Sequence, residues 1–375
     1  MSRKILIMYG TAGIGHKKSA VSIKKAYDEM KLPGLEVTLI DALDYTNKFF
    51  KWSYLQTYLL MVNKLPVFWG LSYYLTDIPL IDLFVSYLRR LNNWANSRKL
   101  VNYILDTKPD VIISTHFFGS EVIADLKRRS LVLSKLVTVV TDYRLHAWWV
   151  CEGTDIYIVA SEDTRRDLEG RKVDPSKIKV MGIPIEPLFS KPMDKPKIFK
   201  ETGLRDDLFT ILVIGGGFGV GPIEGIVKVI ARIQKNLQTV VVCGHNEELA
   251  RKIQSLKDEY KLNMKVLGFI DNVYEYMDIS DILISKSGGI TVSESLAKEI
   301  PLVVISPILG QETGNCGFLV RNNAALKVDN LNGLKAALES LISDPVKLDS
   351  MKDAIKKIKK PRAAYDVAKF AYESR

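Results

Sequence analysis

Cysteine is scarce in this 375-residue chain: Cys151, Cys243 and Cys316 are too few and too widely spaced for a disulfide framework, and none sits in a Cys-x-x-Cys pair. A reducing cytosol fits that usage. The four histidines, His16, His116, His146 and His245, show no metal-ligand spacing, and no Asp-x-Asp pair stands where a divalent ion would bridge a nucleotide. No metal and no resident cofactor is therefore expected. Long apolar runs are missing too. The start, Met1 to Tyr9, joins a basic lead to an apolar run too short for a secretion signal and passes into a glycine-rich turn, so it reads as a first strand. From Trp52 to Thr76 the only charge is Lys64, yet Asn63, Lys64 and Pro66 fall midway, where a bilayer-spanning helix tolerates them least. Acidic residues are the minority, and the net charge of +10 favours an anionic partner: nucleotide, phospholipid surface or nucleic acid.

What is present is globular in balance, with 47% hydrophobic and 26% charged residues, which excludes disordered, collagen-like and multi-span membrane classes. Buried-strand runs alternate with helical patterns from Lys4 to Met181, as suits parallel strands covered on both faces. Ser190 to Lys200, with two prolines and four lysines, reads as an exposed linker. The rhythm restarts with strands at Phe209–Ile214, Thr239–Cys243, Lys265–Phe269, Asp281–Ser285 and Leu302–Ser306. The expected class is α/β, with two doubly wound domains and ligands in a cleft at the carboxyl ends of the strands. Residues 1–190 form the first domain, 201–360 the second, and 361–375 a helix beyond Pro361 that returns to the first.

One segment breaks the rhythm. Eleven of the 34 aromatic residues lie between Phe49 and Tyr87, flanked by Lys48, Lys51, Arg89 and Arg90. Rings and cations together suit the boundary between water and lipid, with Trp52, Tyr54, Phe68, Trp69 and Tyr73 as candidate contacts. A helical subdomain with an aromatic core is the other reading.

Three glycine-rich turns follow strands. Gly10 to His16 opens a helix, and His16 at its start is either a proton acceptor or a histidine tied to a neighbouring loop. Gly215 to Pro222, including Gly216 and Gly217, holds five glycines in seven residues and offers a backbone cradle for phosphate, or serves only the turn. In Ser285 to Asn315, backbone amides at Ser287, Gly288, Gly289 and Thr291 ahead of a helix suit a diphosphate. Glu294 could accept ribose hydroxyls, or close a capping box with Thr291. Gln311 and Glu312 could grip a sugar, although Glu at a helix start also complements the dipole. His116 and the stretch Thr141 to Trp149, with Asp142, His146 and Trp148, follow further strands of the first domain. A histidine beside two tryptophans holds either an apolar acceptor with a polar head or only its own core.

At these residues the chain resembles glycosyltransferase family 28, in its monogalactosyldiacylglycerol synthase and processive diacylglycerol glucosyltransferase branch. The resemblance runs through GIGHKKSA (Gly13–Ala20), PDVIISTHF (Pro109–Phe117), TDYRLHAWW (Thr141–Trp149), GIPIEPLF (Gly182–Phe189), GGGFGVGP (Gly215–Pro222), Gly268 to Ser295, and PILGQETGN (Pro307–Asn315). It implies a GT-B fold, a UDP-sugar donor in the second domain and diacylglycerol in the first, at an anionic membrane surface on the cytoplasmic face, with no nucleic acid. It also implies that Gly217 and its loop approach the diphosphate, Phe269 and Ile270 hold uracil, Thr291 phosphate, Glu294 ribose, and Gln311 with Glu312 the hexose. His16 matches the candidate base, with Asp142 as the runner-up. Gly15, His116, His146 and Trp148 are the expected acceptor contacts. Leu309 stands where the family's donor loop usually has proline, and Ile14 where glycine is commoner. A transferase acting on a lipid-linked peptidoglycan precursor and a non-hydrolysing UDP-sugar epimerase are the alternatives. Glucose and galactose are not separated by these residues.

Overall fold

Short aliphatic runs form twelve strands among the described residues: β1 Arg3–Tyr9, β2 Leu35–Asp41, β3 Val111–Ser114, β4 Lys135–Val139, β5 Ile156–Val159, β6 Ile178–Val180, β7 Phe209–Ile214, β8 Leu237–Val242, β9 Met264–Leu267, β10 Ile282–Ser285, β11 Leu302–Ile305 and β12 Ala325–Val328. The helices are α1 Ile14–Met30, α2 Lys48–Lys64, α3 Pro66–Leu75, α4 Pro79–Asn96, α5 Arg98–Thr107, α6 Phe117–Arg128, α7 Glu162–Gly170 and α8 Lys195–Thr202. They continue as α9 Ile223–Ile230, α10 Glu247–Glu259, α11 Val273–Asp278, α12 Gly289–Ala297, α13 Gln311–Arg321, α14 Leu331–Ser343, α15 Pro345–Ile358 and α16 Ala363–Glu373. This computed structural model describes residues 2–11, 13–216, 221–233 and 236–374, and the backbone alone at 58, 62 and 63.

The chain divides into two compact units: Met1–Pro187 with Ile308–Gly314 and Arg362–Arg375, and Leu188–Pro307 with Asn315–Pro361. The first carries a parallel sheet in the order β2-β1-β3-β4-β5-β6. Its strands are apolar on both faces because both are covered. Ile5 and Ile7 pack with Ala20 and Ile23 of α1 and with Val367 and Ala368 of α16, while Leu6 and Met8 point oppositely, toward Phe118 and Ile123 of α6. The second unit has the order β12-β11-β10-β7-β8-β9, also parallel. In each sheet the order reverses once, between β1 and β3 and between β7 and β10. Loops on either side of a reversal diverge to opposite faces and leave a crevice at the carboxyl ends of the strands.

Three readings of the sequence are corrected. Ser190–Lys200 is not all linker, because Asp194 accepts the Lys197 N–H at 3.1 Å, Pro196 sits in the first turn, and Ile198 is buried, so α8 forms. The edge strand β12 was not expected, since Lys327 interrupts its four residues. The helix expected over Pro222 to Gln234 after the second glycine loop ends at Ile230, and Gln234 itself lies outside the described residues.

Helix α16 approaches α1 through Ala364, Ala368 and Ala371, all essentially inaccessible. Small side chains set that separation. Ala368→Leu is expected to overpack the layer and cost about 1–3 kcal/mol. A urea melt would read this as a lower midpoint with an unchanged slope.

Candidate active site

In the first unit the crevice between β1 and β3 is filled by two imidazoles. The turn after β1 delivers His16 to the first turn of α1, through Gly13 at φ 103°, and Gly15 lies in that same turn. The loop after β3 delivers Thr115 and His116. At Gly10 the backbone passes close to this ring, since a Cβ would stand 3.0 Å from His116 and press on it. His16 Nδ1 lies 2.8 Å from the Thr115 carbonyl oxygen and 2.9 Å from Thr141 Oγ1. A carbonyl can only accept, so Nδ1 carries the proton and Nε2 keeps its lone pair. Burial against His116, at 4.6 Å between ring centroids, and Trp149 pushes the His16 pKa down to about 4. The backbone hydrogen bond opposes this only in part. His116 lies well below the usual imidazole value, chiefly through burial and then through His16, and its Nδ1 accepts the Phe118 N–H. Both rings are therefore neutral near pH 7.

These rings line a cavity of about 620 Å³ within the first unit, together with Asp142, Trp148, Trp149, Phe117, Gln311 and rings from α2 and α3. Its wall is mostly apolar, but the buried Trp148 Nε1 and Gln311 Oε1 have no hydrogen-bond partner. One donates and one accepts, as a polyol would require. His146 contributes no such group. Its Nε2 meets the Tyr73 carbonyl at 2.9 Å and its Nδ1 accepts the Trp148 N–H at 3.2 Å, so the ring braces the wall. Glu312 is partly committed as well, because its Oε2 accepts the Ile308 N–H at 2.9 Å. Sequence reasoning missed Thr115 and Thr141 as partners of His16, and Asn92 and Asn96 of α4 at the cavity. The i, i+4 spacing of the two asparagines was the available signal.

The aromatic segment splits. Of the five residues expected at a lipid boundary, Trp52 and Phe68 are exposed, whereas Tyr73 is buried and Tyr54 and Trp69 turn inward to the cavity. Helix α4 has its polarity inverted. Leu80, Leu83, Phe84, Tyr87, Leu88, Leu91 and Trp94 form an outward stripe, with Leu80 80% exposed, while Arg89 and Asn93 face in. Arg89 Nε pairs with buried Glu121 at 3.1 Å, Asn93 Nδ2 donates to the same carboxylate at 2.7 Å, and the Arg89 guanidinium lies over the Trp148 ring at 5.5 Å. Three of the four flanking cations are thus engaged with carboxylates, Arg89 and Arg90 with Glu121 and Lys51 with Asp44 and Asp41. No helix among the described residues is long and apolar enough to cross a membrane.

In the second unit, Gly216 (φ 70°) follows β7 and the Ser287–Gly289 loop follows β10, so they flank that sheet's reversal. Gly217 lies outside the described residues. Helix α12 starts at Gly289, with Gly288 as a cap that makes no side-chain hydrogen bond, and its first amides have no intrahelical acceptor. This excludes the capping box: Thr291 is the third helical residue, not the cap, and Glu294 lies a turn further on, buried. Lys286, unnoticed in the sequence, has its Cε 3.9 Å from where a Cβ on Gly221 would stand. After β9, Phe269 is half exposed and stacked at 4.3 Å on His245, and Ile270 follows it. Among the described residues no group of three His, Cys, Asp or Glu could hold a metal ion.

Residues 16–185 match the model of monogalactosyldiacylglycerol (MGDG) synthase and residues 210–367 that of the glycosyltransferase family 28 C-terminal domain. A processive diacylglycerol beta-glucosyltransferase of Bacillus pumilus is 30% identical over 95% of this chain and 91% of its own. Among solved structures, Acinetobacter baumannii MurG superposes with a TM-score of 0.65 at 14% identity over 99% of each chain. A UDP co-structure of Staphylococcus aureus MnaA gives 0.65 at 16% over 98% of this chain and 95% of its own. These two show the fold, the GT-B architecture of two α/β domains.

Two measurements check the site. Nitrogen-15 NMR should find His16 as the Nδ1–H tautomer, neutral at pH 5 and titrating near 4. An unfolded imidazole takes up its proton near 6.5, above the folded value, so acidification from about 6.5 toward 4 should lower stability through this group. Arg89→Ala leaves Glu121 buried with only Arg90, at 3.6 Å, and Asn93 beside it. A loss of about 3 kcal/mol is expected in chemical denaturation.

Proposed function

The chain belongs to the monogalactosyldiacylglycerol synthase and processive diacylglycerol glucosyltransferase family of glycosyltransferases, and from that premise we propose that it moves a hexose, glucose or galactose, from a UDP-sugar to the sn-3 hydroxyl of diacylglycerol with inversion. The observation that carries the reading is one apolar cavity holding both a histidine with a bare Nε2 and an unpartnered Gln311 amide oxygen. An apolar wall suits the acyl and glycerol part of the acceptor. The polar pair, Gln311 Oε1 and Trp148 Nε1, suits sugar hydroxyls.

In the reaction the acceptor oxygen attacks the anomeric carbon as the bond from that carbon to the diphosphate breaks, and its proton passes to His16 Nε2. An alcohol is far less acidic than an imidazolium of pKa near 4, so the proton moves late, once the new C–O bond has made the oxygen acidic. The resulting imidazolium returns its proton readily to water. Asp142 lines the same cavity and is the second candidate. The charge growing on UDP is met by the amides and dipole at the start of α12, by the Gly216 turn and by Lys286. Phe269, backed by His245, and Ile270 offer a face for uracil, Thr291 contacts phosphate and Glu294 the ribose.

The outward faces of α2, α3 and α4 support a peripheral, monotopic position at the cytoplasmic face of a membrane. A contiguous apolar surface of this kind is uncommon on a protein that meets only water, and Phe49, Val67 and Leu83 are each at least 70% exposed. Anionic lipid would be met by the chain's net charge of +10. The peptidoglycan-precursor and epimerase alternatives rest on shared fold alone, whereas the diacylglycerol reading has sequence kinship over nearly the whole chain.

Purified protein with UDP-glucose or UDP-galactose and diacylglycerol in anionic vesicles should release UDP and form glycolipid in equal amounts. UDP release without a lipid product would reject the acceptor. His16→Ala should lower turnover by roughly 10²- to 10⁴-fold while UDP affinity, read by calorimetry, stays at the wild-type value. The same loss in Asp142→Asn with His16→Ala unaffected would move the base to the carboxylate.

A further inference from the structure

The segment Ile308–Gly314, which carries Gln311, is seated on α3 by two contacts that only glycine permits. A Cβ on Gly70 would stand 2.3 Å from Leu309 Cβ and 3.0 Å from its Cδ1. A Cβ on Gly310 would stand 3.0 Å from the Tyr73 ring, and Gly310 adopts φ 104°, which side chains resist. The contacts are reciprocal: Leu309 enters the gap over Gly70, and Tyr73 enters the gap over Gly310. Around them Tyr74 Oη lies 2.9 Å from Thr313 Oγ1, and Thr313 Oγ1 donates to the Gly310 carbonyl at 2.8 Å. The Arg144 guanidinium lies over the Tyr74 ring at 5.4 Å, with its Cβ packed on Gly314.

The two faces of α3 do different things. Gly70 and Tyr73, three residues apart, hold the segment, while Val67, Phe68 and Leu71 point outward and are each more than half exposed. Leu309 also marks where the sequence departs from proline in this loop. Proline would fix the backbone by its own ring. Leucine leaves φ free and needs an external hold.

We propose that Gly70 and Leu309 are positioning residues: their contact sets the Gln311 loop for the hexose of the donor and makes α3 the part through which a lipid surface acts on sugar binding. The proposal rests on the hexose role given to Gln311 above. Gln311 Oε1 ends at the cavity without a partner, so its position is set by the loop backbone, and the loop backbone by α3.

A double-mutant cycle on the full-length enzyme tests it, with donor KM, kcat and vesicle binding measured on diacylglycerol vesicles. Wild-type transfer is established first; its absence would count against the functional reading and not against this contact. Gly70→Ala adds one methyl to a helix that gains propensity by it, and should raise donor KM about tenfold while vesicle binding holds. Leu309→Gly should raise it about threefold by freeing the loop. The double variant should stay near threefold, because each change removes what the other disturbs, whereas independent effects would multiply to about thirtyfold. Multiplicative effects, or a Gly70→Ala enzyme with wild-type donor KM, would overturn the proposal. If Gly70→Ala fails to fold, Leu309→Gly alone decides: an unchanged donor KM refutes the contact, and a raised donor KM with unaltered vesicle binding upholds it.

Discussion

The hydrogen bond from His16 Nδ1 to the Thr115 carbonyl is the constraint on which the chemistry turns. It exists because β1 and β3 are neighbours although β2 comes between them in sequence. That order brings the start of α1 against the loop after β3, and a backbone oxygen, which cannot rotate away or ionise, then decides which nitrogen holds the proton. Thr141, at the end of β4, closes the same nitrogen from a third direction. Three successive strand ends thus converge on one ring, and sheet topology rather than any local motif fixes its tautomer.

A second theme is polarity turned inside out. Ordinary surface helices bury leucines and show charges, but α4 buries Arg89 and Asn93 on Glu121 and shows its leucines. The inward ion pair makes the outward stripe tolerable, since the helix is anchored by charge-assisted hydrogen bonds where an apolar face would otherwise have done so. Arg89 also touches Trp148 and Phe117, so the anchor and the cavity wall share one guanidinium.

The strands and glycine turns were legible because parallel-sheet strands must be apolar on both faces and the turns must approach ligands closely. Strand ends from β7 to β11 fell within a few residues of expectation, and the turn bearing His16 lies where the pattern put it. What could not be read is long-range. Whether Trp69 and Tyr73 face lipid or cavity depends on the angle α3 takes over a segment more than two hundred residues later, and Gly70 looks like any helical glycine until Leu309 is beside it. The capping pattern at Thr291 left two readings open for the opposite reason: it is local, and only the helix start, two residues before it, decides against the capping box. For α8, the prolines and lysines suggested a spacer, yet Asp194 and Pro196 form a helix start whose meaning depends on one buried isoleucine.

The first sheet is completed by the last helix of the chain. During synthesis the strands bearing Ile5, Ile7, Val137 and Val139 leave the ribosome long before α16, which shares their cover with α1. Until then α1 alone shields that side of the nascent domain. A chain that lacks α16 would therefore reach water with part of that layer uncovered, and such a product is prone to aggregate.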